Sequence, residues 1–179
     1  MRLGGVARGV LAVVVVAGGL IGILVFFNSR DSSTFDSSSG PGQAFPDQGH
    51  AHLSPGAPRP PFSFASRPPT SGPHVPVVPG NDTRPLSTDE LLQAIELGDV
   101  VLVYGSRSQQ PGLRAVAGRL AGPFSRSLAA AGQAVVLDYQ PGTQGVVAVA
   151  WRHLLRGRGP RDPRLAGFVQ YWLGRGASA

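Results

Sequence analysis

The fold is best approached from residues 87–104, which read STDELLQAIELGDVVLVY. Ser87 or Thr88 can cap a helix that continues to Glu96, because Glu90 follows Ser87 by three residues as in a capping box, and acidic side chains suit the positive end of the helix dipole. Gly98 ends the helix. Residues 100–104 are a continuous apolar and largely β-branched run, which is typical of a buried central strand.

The sequence that follows predicts more helices and two more strands. Apolar residues recur at helical spacing over residues 111–120, and a further amphipathic stretch covers residues 125–131. Residues 134–138 and 145–151 are predicted strands, joined at a proline-glycine turn. A last helix begins after Asp162, with proline in its first turn. These elements predict an α/β fold, a small α+β sandwich in which helices flank a central sheet, in a distantly thioredoxin-like layout.

The N-terminal end predicts a membrane anchor. Arg2 and Arg8 precede a long, uncharged and largely apolar stretch, from which we predict a transmembrane helix over residues 9–29. About twenty helical residues cross a hydrocarbon core of about 30 Å, whereas a cleaved signal peptide has an apolar core of about 7–15 residues. The excess of arginine before the helix places residues 1–8 in the cytoplasm. The sequence therefore predicts a single-pass protein of the cell membrane, with the lipid bilayer as one partner and an extracytoplasmic C-terminal domain.

Two segments of biased composition separate the predicted anchor from the predicted domain. Residues 31–46 are rich in serine, glycine and proline and carry few bulky side chains, which predicts a flexible linker. Residues 47–86 are dense in proline, which excludes helix interiors and central strands and predicts an extended arm. Residues 87–175 then form one globular domain, since this length suffices for a single core.

Composition limits the chemistry that this chain can perform. It contains no cysteine, which excludes disulfides, thiolate catalysis and zinc–sulfur sites. The net charge is +6, all sixteen basic residues are arginine, and the C-terminal half is strongly cationic. This half could contact an anionic surface or an acidic protein partner, or it could be a solvated basic face without a ligand. Nucleic acid is not an expected partner, because no repeat of basic and aromatic residues suggests base stacking.

Histidines provide the clearest candidate ligands. His50 and His52 are two residues apart in a segment predicted to be extended, so both rings would point to one side and could share a metal ion. His74 follows a run of proline and glycine that would hold it in place. The alternative interpretation is that these are ordinary exposed loop residues, because short motifs often match by chance.

The chain resembles the bacterial family of unknown function DUF3105. The resemblance is carried by DQGH at residues 47–50, RPPTSGPH at 67–74, AIELGDVV at 94–101 and AWR at 150–152. It spans the region from Asp47 to the C-terminus. The resemblance implies an exported or membrane-anchored bacterial protein and supplies no reaction.

One departure from the family pattern concerns the predicted helix. The pattern usually reads His-x-Leu-Glu-His-Gly, whereas this chain has Gln93 and Leu97 in place of the two histidines. If the family builds a histidine site from these positions, this chain lacks half of it. The remaining candidates still combine imidazole and carboxylate, a donor set suited to a divalent ion such as zinc, copper or iron. The predicted metal ligands are His50, His52, His74 and Glu96.

Three functions remain open at this point. The first, which the sequence favours, is a membrane-tethered binding or scaffolding domain without catalysis, because the two helix histidines are replaced and the C-terminal half is basic. The second function is that of an exported metal-binding domain. The third is a hydrolase or oxidoreductase with Ser71 as nucleophile, but the chain has no Gly-x-Ser-x-Gly elbow and no phosphate-cradling loop, and Ser71 lies in a turn-forming sequence. No catalytic residue is predicted, and the oligomeric state is left open.

Overall fold

The computed structural model of the chain describes residues 40–59 and 61–177. Within them lies a mixed sheet of five strands: β1 (Gln43–Ala44), β2 (Val100–Tyr104), β3 (Val135–Tyr139), β4 (Val146–Ala150) and β5 (His153–Gly157). The α-helices of this part of the chain are α1 (Thr88–Leu97), α2 (Gln110–Leu120), α3 (Arg126–Ala130) and α4 (Pro163–Trp172). A 3₁₀ turn at Arg107–Gln109 leads into α2. The predicted α+β class with a central sheet is confirmed.

The sheet has the strand order β1-β5-β4-β2-β3. The β2 and β3 strands are parallel, with Val100 opposite Val135, while the other neighbouring pairs are antiparallel. Every residue of β2 is buried, which confirms the core strand predicted from its apolar run. Helices α1 and α3 pack together, as do α2 and α4; α1 contacts β2 and β4, while α4 contacts β4 and β5. Helical packing therefore buries the central strands.

Helix α1 begins and ends close to where its sequence predicts. The Ser87 hydroxyl accepts a hydrogen bond from the Glu90 amide at 3.2 Å, and the Glu90 carboxylate accepts one from the Ser87 amide at 3.0 Å. This reciprocal pair is the predicted capping box. At the other end Gly98 has φ 115°, a conformation that glycine adopts without steric cost. These two local signals explain why the boundaries of α1 could be predicted closely.

The sequence did not predict β5. The β4 and β5 strands pair so closely that Ala150 lies opposite His153, which leaves only Trp151 and Arg152 in the turn. Arg152 has φ 61°, a value that hairpin turns usually assign to glycine or asparagine. Because the turn lacks these residues, the sequence carries no hairpin signal. The predicted strand 145–151 therefore includes Trp151, which is the first residue of the turn.

The predicted linker 31–46 overlaps the sheet at its C-terminal end. The β1 strand lies within it and pairs with β5, with Gln43 opposite Leu154. The indole N–H of Trp172 donates a hydrogen bond to the Pro41 carbonyl at 2.9 Å, and a Cβ added at Gly40 would fall 2.1 Å from the same ring. The prediction of a flexible linker is therefore wrong for residues 40–46. Composition could not show this, since the partners that hold this segment come from β5 and α4.

The predicted extended arm, residues 47–86, contains no helix or strand among its described residues. Among these residues the main chain forms one isolated parallel β-bridge, between His52 and His74. Phe64 packs against the hydrophobic core, whereas Phe62 is exposed. The Thr70 carbonyl accepts a hydrogen bond from the Arg152 amide at 2.8 Å. The arm is thus attached to the domain by packing and by main-chain hydrogen bonds.

The predicted cytoplasmic residues 1–8 and the predicted transmembrane helix 9–29 lie outside the described residues. In residues 40–59 and 61–177, none of the helices combines the length and the apolar character that crossing a membrane requires. The membrane anchor and the extracytoplasmic location of the domain stay predictions.

Candidate metal centre

Three of the four predicted metal ligands lie together. Each of His52, His74 and Glu96 offers one ligand atom to a cluster in which these atoms are within 4.8 Å of one another. Oε2 of Glu96 is 3.1 Å from Nε2 of His52 and 2.9 Å from Nε2 of His74. Two ligand atoms therefore come from the arm and one from α1.

Main-chain pairing within the arm brings the two histidines side by side. The Leu53 amide donates to the His74 carbonyl at 2.8 Å, and the His74 amide donates to the Ala51 carbonyl at 3.1 Å. Residues that face each other in such a bridge project to the same side. The rings of His52 and His74 consequently meet edge to face, with centroids 5.4 Å apart.

Helix α1 presents a polar stripe to this part of the arm. Asp89, Gln93 and Glu96 occupy positions i, i+4 and i+7, which lie along one face of a helix. The Asp89 carboxylate accepts a hydrogen bond from the Val75 amide at 3.0 Å, while Glu96 lies against His74. The consecutive arm residues 74 and 75 therefore contact the two ends of the stripe.

A charge contact reinforces the attachment of the arm at the Asp89 end. Burial by itself would raise the pKa of the Asp89 carboxyl, but an ion pair with Arg59 and the hydrogen bond from Val75 outweigh burial and lower it. Asp89 is therefore ionised at neutral pH. Because Arg59 also belongs to the arm, this ion pair holds the arm on α1 next to the candidate metal ligands.

His74 is fully buried, and its hydrogen bonds define which ring nitrogen is free. Its Nδ1 lies 3.0 Å from the Gly72 carbonyl, which can only accept, so Nδ1 carries the proton. In the neutral ring Nε2 then has an unprotonated lone pair on the side of Glu96. Although Nε2 is 2.9 Å from Oε2 of Glu96, it has no hydrogen-bond partner of acceptable geometry among the described residues. A lone pair next to a carboxylate oxygen is unfavourable unless a proton or a cation lies between them.

The separations between the candidate ligand atoms are close to those that one shared metal ion requires. Nitrogen and oxygen ligands lie about 2.0–2.2 Å from zinc, so two ligands at the tetrahedral angle are about 3.4 Å apart, and two at about 90°, as in square-planar or octahedral coordination of other divalent ions, are about 3 Å apart. The distances from Glu96 to His74 and His52 are 2.9 and 3.1 Å. The side chain of His74 is 0% exposed, that of Glu96 12% and that of His52 48%. The centre is therefore closed on the His74 side and open to solvent on the His52 side.

His50, the fourth predicted ligand, is not in the cluster. Its exposed ring lies edge-on to Trp151, with centroids 6.0 Å apart. The i,i+2 spacing of His50 and His52 suggested that both rings would face one ion. Instead, the bridge to His74 orients His52 alone.

The two positions where the family pattern has histidine differ in their surroundings. Leu97 is 36% exposed on the surface of α1. Gln93 is 5% exposed, and its Oε1 has no hydrogen-bond partner among the described residues. From the sequence, both residues are interpreted only as replacements for lost ligands. The position of Gln93 between Asp89 and Glu96 on the stripe could have marked it as a candidate donor.

Ser71 has a structural environment. It is buried, its Oγ accepts a hydrogen bond from the Gln48 amide at 3.0 Å, and it donates to the Pro46 carbonyl at 3.3 Å. The two bonds join Ser71 to main-chain groups 23 and 25 residues earlier in the chain, so Ser71 links distant segments, whereas the predicted turn role implied bonds to nearby amides.

Several arginines of the basic C-terminal half contact acidic or aromatic side chains of the arm or the domain. Arg114 forms an ion pair with the buried Asp82 at 3.0 Å, and Arg164 forms one with Asp162 at 2.8 Å. Arg107 lies over the ring of Tyr139, 4.4 Å from its centroid. Part of the positive charge therefore stabilises the fold through contacts with anionic and aromatic side chains.

Comparison with known families agrees with the resemblance seen in the sequence. A family model described as "Protein of unknown function (DUF3105)" matches residues 57–178. The matched region includes His74 and Glu96 and begins after His52. No curated protein and no solved structure matches the chain.

Proposed function

Since this chain belongs to the DUF3105 family, whose description states no activity, we propose its function from the site itself: it binds a divalent transition-metal ion through His52, His74 and Glu96. One observation carries the proposal. The buried Nε2 of His74 faces a carboxylate oxygen at 2.9 Å without a hydrogen bond. A metal ion bound to both atoms would satisfy both lone pairs.

The donor set indicates which ions to test. Imidazole nitrogen suits zinc, copper, nickel and iron, and a single carboxylate is a common further ligand of these ions. Three protein ligands and an open side at His52 leave room for water or an exogenous ligand in the remaining coordination position. His52 Nε2 is at hydrogen-bond distance from Glu96, so metal binding would displace a proton from this contact.

The decisive experiment is calorimetric titration of the full-length, chelator-treated protein with zinc, and then with nickel and copper. We expect about one ion per chain. His74→Ala should weaken binding at least about 100-fold, because losing a ligand should cost no less than losing the groups that orient one. His50→Ala is the matched control, since its ring lies against Trp151, outside the cluster. Absence of binding, or equal binding by His74→Ala, would contradict the proposal and favour a proton between His74 and Glu96.

We also propose that the metal-binding domain is tethered to the cell membrane. The apolar stretch at residues 9–29, preceded by Arg2 and Arg8, supports a membrane-tethered domain on the extracytoplasmic side. The chain order β2, helices, β3, β4, β5, α4 supports the finer proposal of a thioredoxin-like layout. Such a layout would here serve without thiol chemistry, because the chain has no cysteine.

A binding role without metal is the second candidate, and a basic groove supports it. Arg158, Arg161 and Arg164 line a groove of about 910 Å³ beside the start of α4. Asp162 pairs with Arg164, which leaves Arg158 and Arg161 as the cations best placed to meet an acidic partner. The combined variant Arg158→Ala, Arg161→Ala should weaken salt-sensitive binding of a polyglutamate peptide, while Arg119→Ala on the exposed surface of α2 should not. Equal binding by all three proteins would contradict this role.

A further inference from the structure

Gln93 lies between two contacts that hold the arm on α1. Four residues before it, Asp89 accepts a hydrogen bond from the Val75 amide, and three residues after it, Glu96 lies against His74. Residues at these spacings have Cβ atoms about 5–6 Å apart on one helix face. Since residues 74 and 75 are consecutive, the arm passes over the part of the stripe that Gln93 occupies.

The side chain of Gln93 is buried without the partner that a buried amide requires. It is 5% exposed, and its Oε1 has no hydrogen-bond partner among the described residues. Burying an amide oxygen unpaired costs free energy, which is why such groups in folded proteins nearly always have a partner. His74 Nε2, 2.9 Å from the Glu96 carboxylate, likewise has no hydrogen-bond partner among the described residues. Because Glu96 follows Gln93 by one turn on the same stripe, a cation held by His74 and Glu96 would lie within reach of the Gln93 side chain.

We propose that Oε1 of Gln93 is the fourth protein ligand of the metal ion, completing a set of two imidazoles, one carboxylate and one amide oxygen. This inference rests on the proposed metal-binding function. A glutamine side chain is long enough to reach an ion held by Glu96 one turn away, and its carbonyl oxygen is a neutral, hard donor. The neutral donor leaves the carboxylate of Glu96 as the single anionic ligand among the four. A divalent ion would then keep an excess positive charge that favours binding of an anion or hydroxide on the open His52 side.

Substitution of Gln93 tests whether this residue is a metal ligand or only a packing residue. Gln93→Leu should lower zinc affinity on the order of tenfold. It should leave the unfolding temperature of the chelator-treated protein unchanged or higher, because an apolar side chain replaces an unsatisfied polar one. Gln93→His and Gln93→Glu should restore or tighten binding, since each supplies a donor. Leu97→Ala is the matched control on α1 and should bind zinc as the wild type does, because Leu97 carries no donor.

The visible spectrum of the cobalt(II)-loaded full-length protein gives an independent readout of the ligand set. We expect the spectrum to change in Gln93→Leu and to remain that of the wild type in Leu97→Ala. If Gln93→Leu binds zinc with wild-type affinity and an unchanged cobalt spectrum, Gln93 is not a ligand, while the three-ligand site stands. If the wild type binds no metal, or if His74→Ala binds equally well, the proposed function fails and this inference fails with it. A variant series in which neither Gln93→His nor Gln93→Glu recovers affinity would also overturn it.

Discussion

Nε2 of His74 lies 2.9 Å from Oε2 of Glu96, although the first residue belongs to the proline-rich arm and the second to the last turn of α1. The contact exists because the Val75 amide is hydrogen-bonded to Asp89 on the same helical stripe, while the bridge to His52 fixes the main chain of His74 within the arm. Any force that releases the arm from α1 would separate the candidate ligands. Metal binding and docking of the arm should therefore be coupled.

The two histidines of the cluster should differ in their contribution to stability. His74 is fully buried whereas the side chain of His52 is 48% exposed, so only His74→Ala removes packed volume from the interior. We expect His74→Ala to lower the free energy of unfolding by about 1–3 kcal/mol and His52→Ala by less than about 0.5 kcal/mol. Urea denaturation of both variants in the presence of a chelator measures the difference. Equal losses would show that the burial of His74 contributes nothing to stability.

Asp99 should make the protein less stable as the pH rises. Burial raises the pKa of its carboxyl from the ordinary 3.8 to about 8, against the lowering effect of the hydrogen bond from the Ala134 amide. Between these two values the folded state holds a proton that the unfolded state has released. Stability should therefore fall with increasing pH in this window, by up to about 1.4 kcal/mol per pH unit.

The variant Asp99→Asn isolates this effect, because an amide oxygen can still accept from Ala134 and does not ionise. Its free energy of unfolding, compared with that of the wild type between pH 5 and pH 8, should show the advantage of the variant increasing with pH. A constant difference across this range would contradict the buried, protonated state of Asp99.

His153 should make the protein less stable as the pH falls. Burial lowers the pKa of its imidazole below the ordinary 6.5, although the Trp151 carbonyl favours the protonated ring. Below pH 6.5 the unfolded state therefore binds a proton that the folded state resists, so stability is present above this pH and is lost as the pH falls. The ring is stacked on Trp172, with centroids 3.9 Å apart. His153→Phe should keep an aromatic contact there and show a smaller loss of stability between pH 7 and pH 5, measured by urea denaturation.

The cap of α1 should contribute measurably to the free energy of unfolding. Ser87 Oγ accepts from the Glu90 amide at 3.2 Å, and removing such a cap usually costs about 1 kcal/mol. We expect this loss for Ser87→Ala in urea denaturation. Thr88→Ala, at the exposed first residue of the same helix, should cost less than about 0.5 kcal/mol. If the two variants lost the same free energy, the capping box would not be the cause.

Strand pairing was harder to predict than helices because its partners are distant in the chain. The ends of α1 depend on Ser87 and Gly98, which act within one turn, and both are visible in the sequence. The β1 strand depends on β5, and β5 follows a turn in which Arg152 takes a conformation usually assigned to glycine. Neither strand carries a local pattern strong enough to be recognised.

By itself, the sequence determined the chemical types available to the site: imidazole and carboxylate, with no thiol. It also determined the helix that carries Glu96, since periodicity and capping are local properties. Tertiary structure alone decided which of these groups meet. His50 and His52 are nearly equivalent in sequence, yet only His52 reaches Glu96, 44 residues away, because its main chain pairs with His74. Such pairing depends on the path of the whole arm, which no short stretch of sequence encodes.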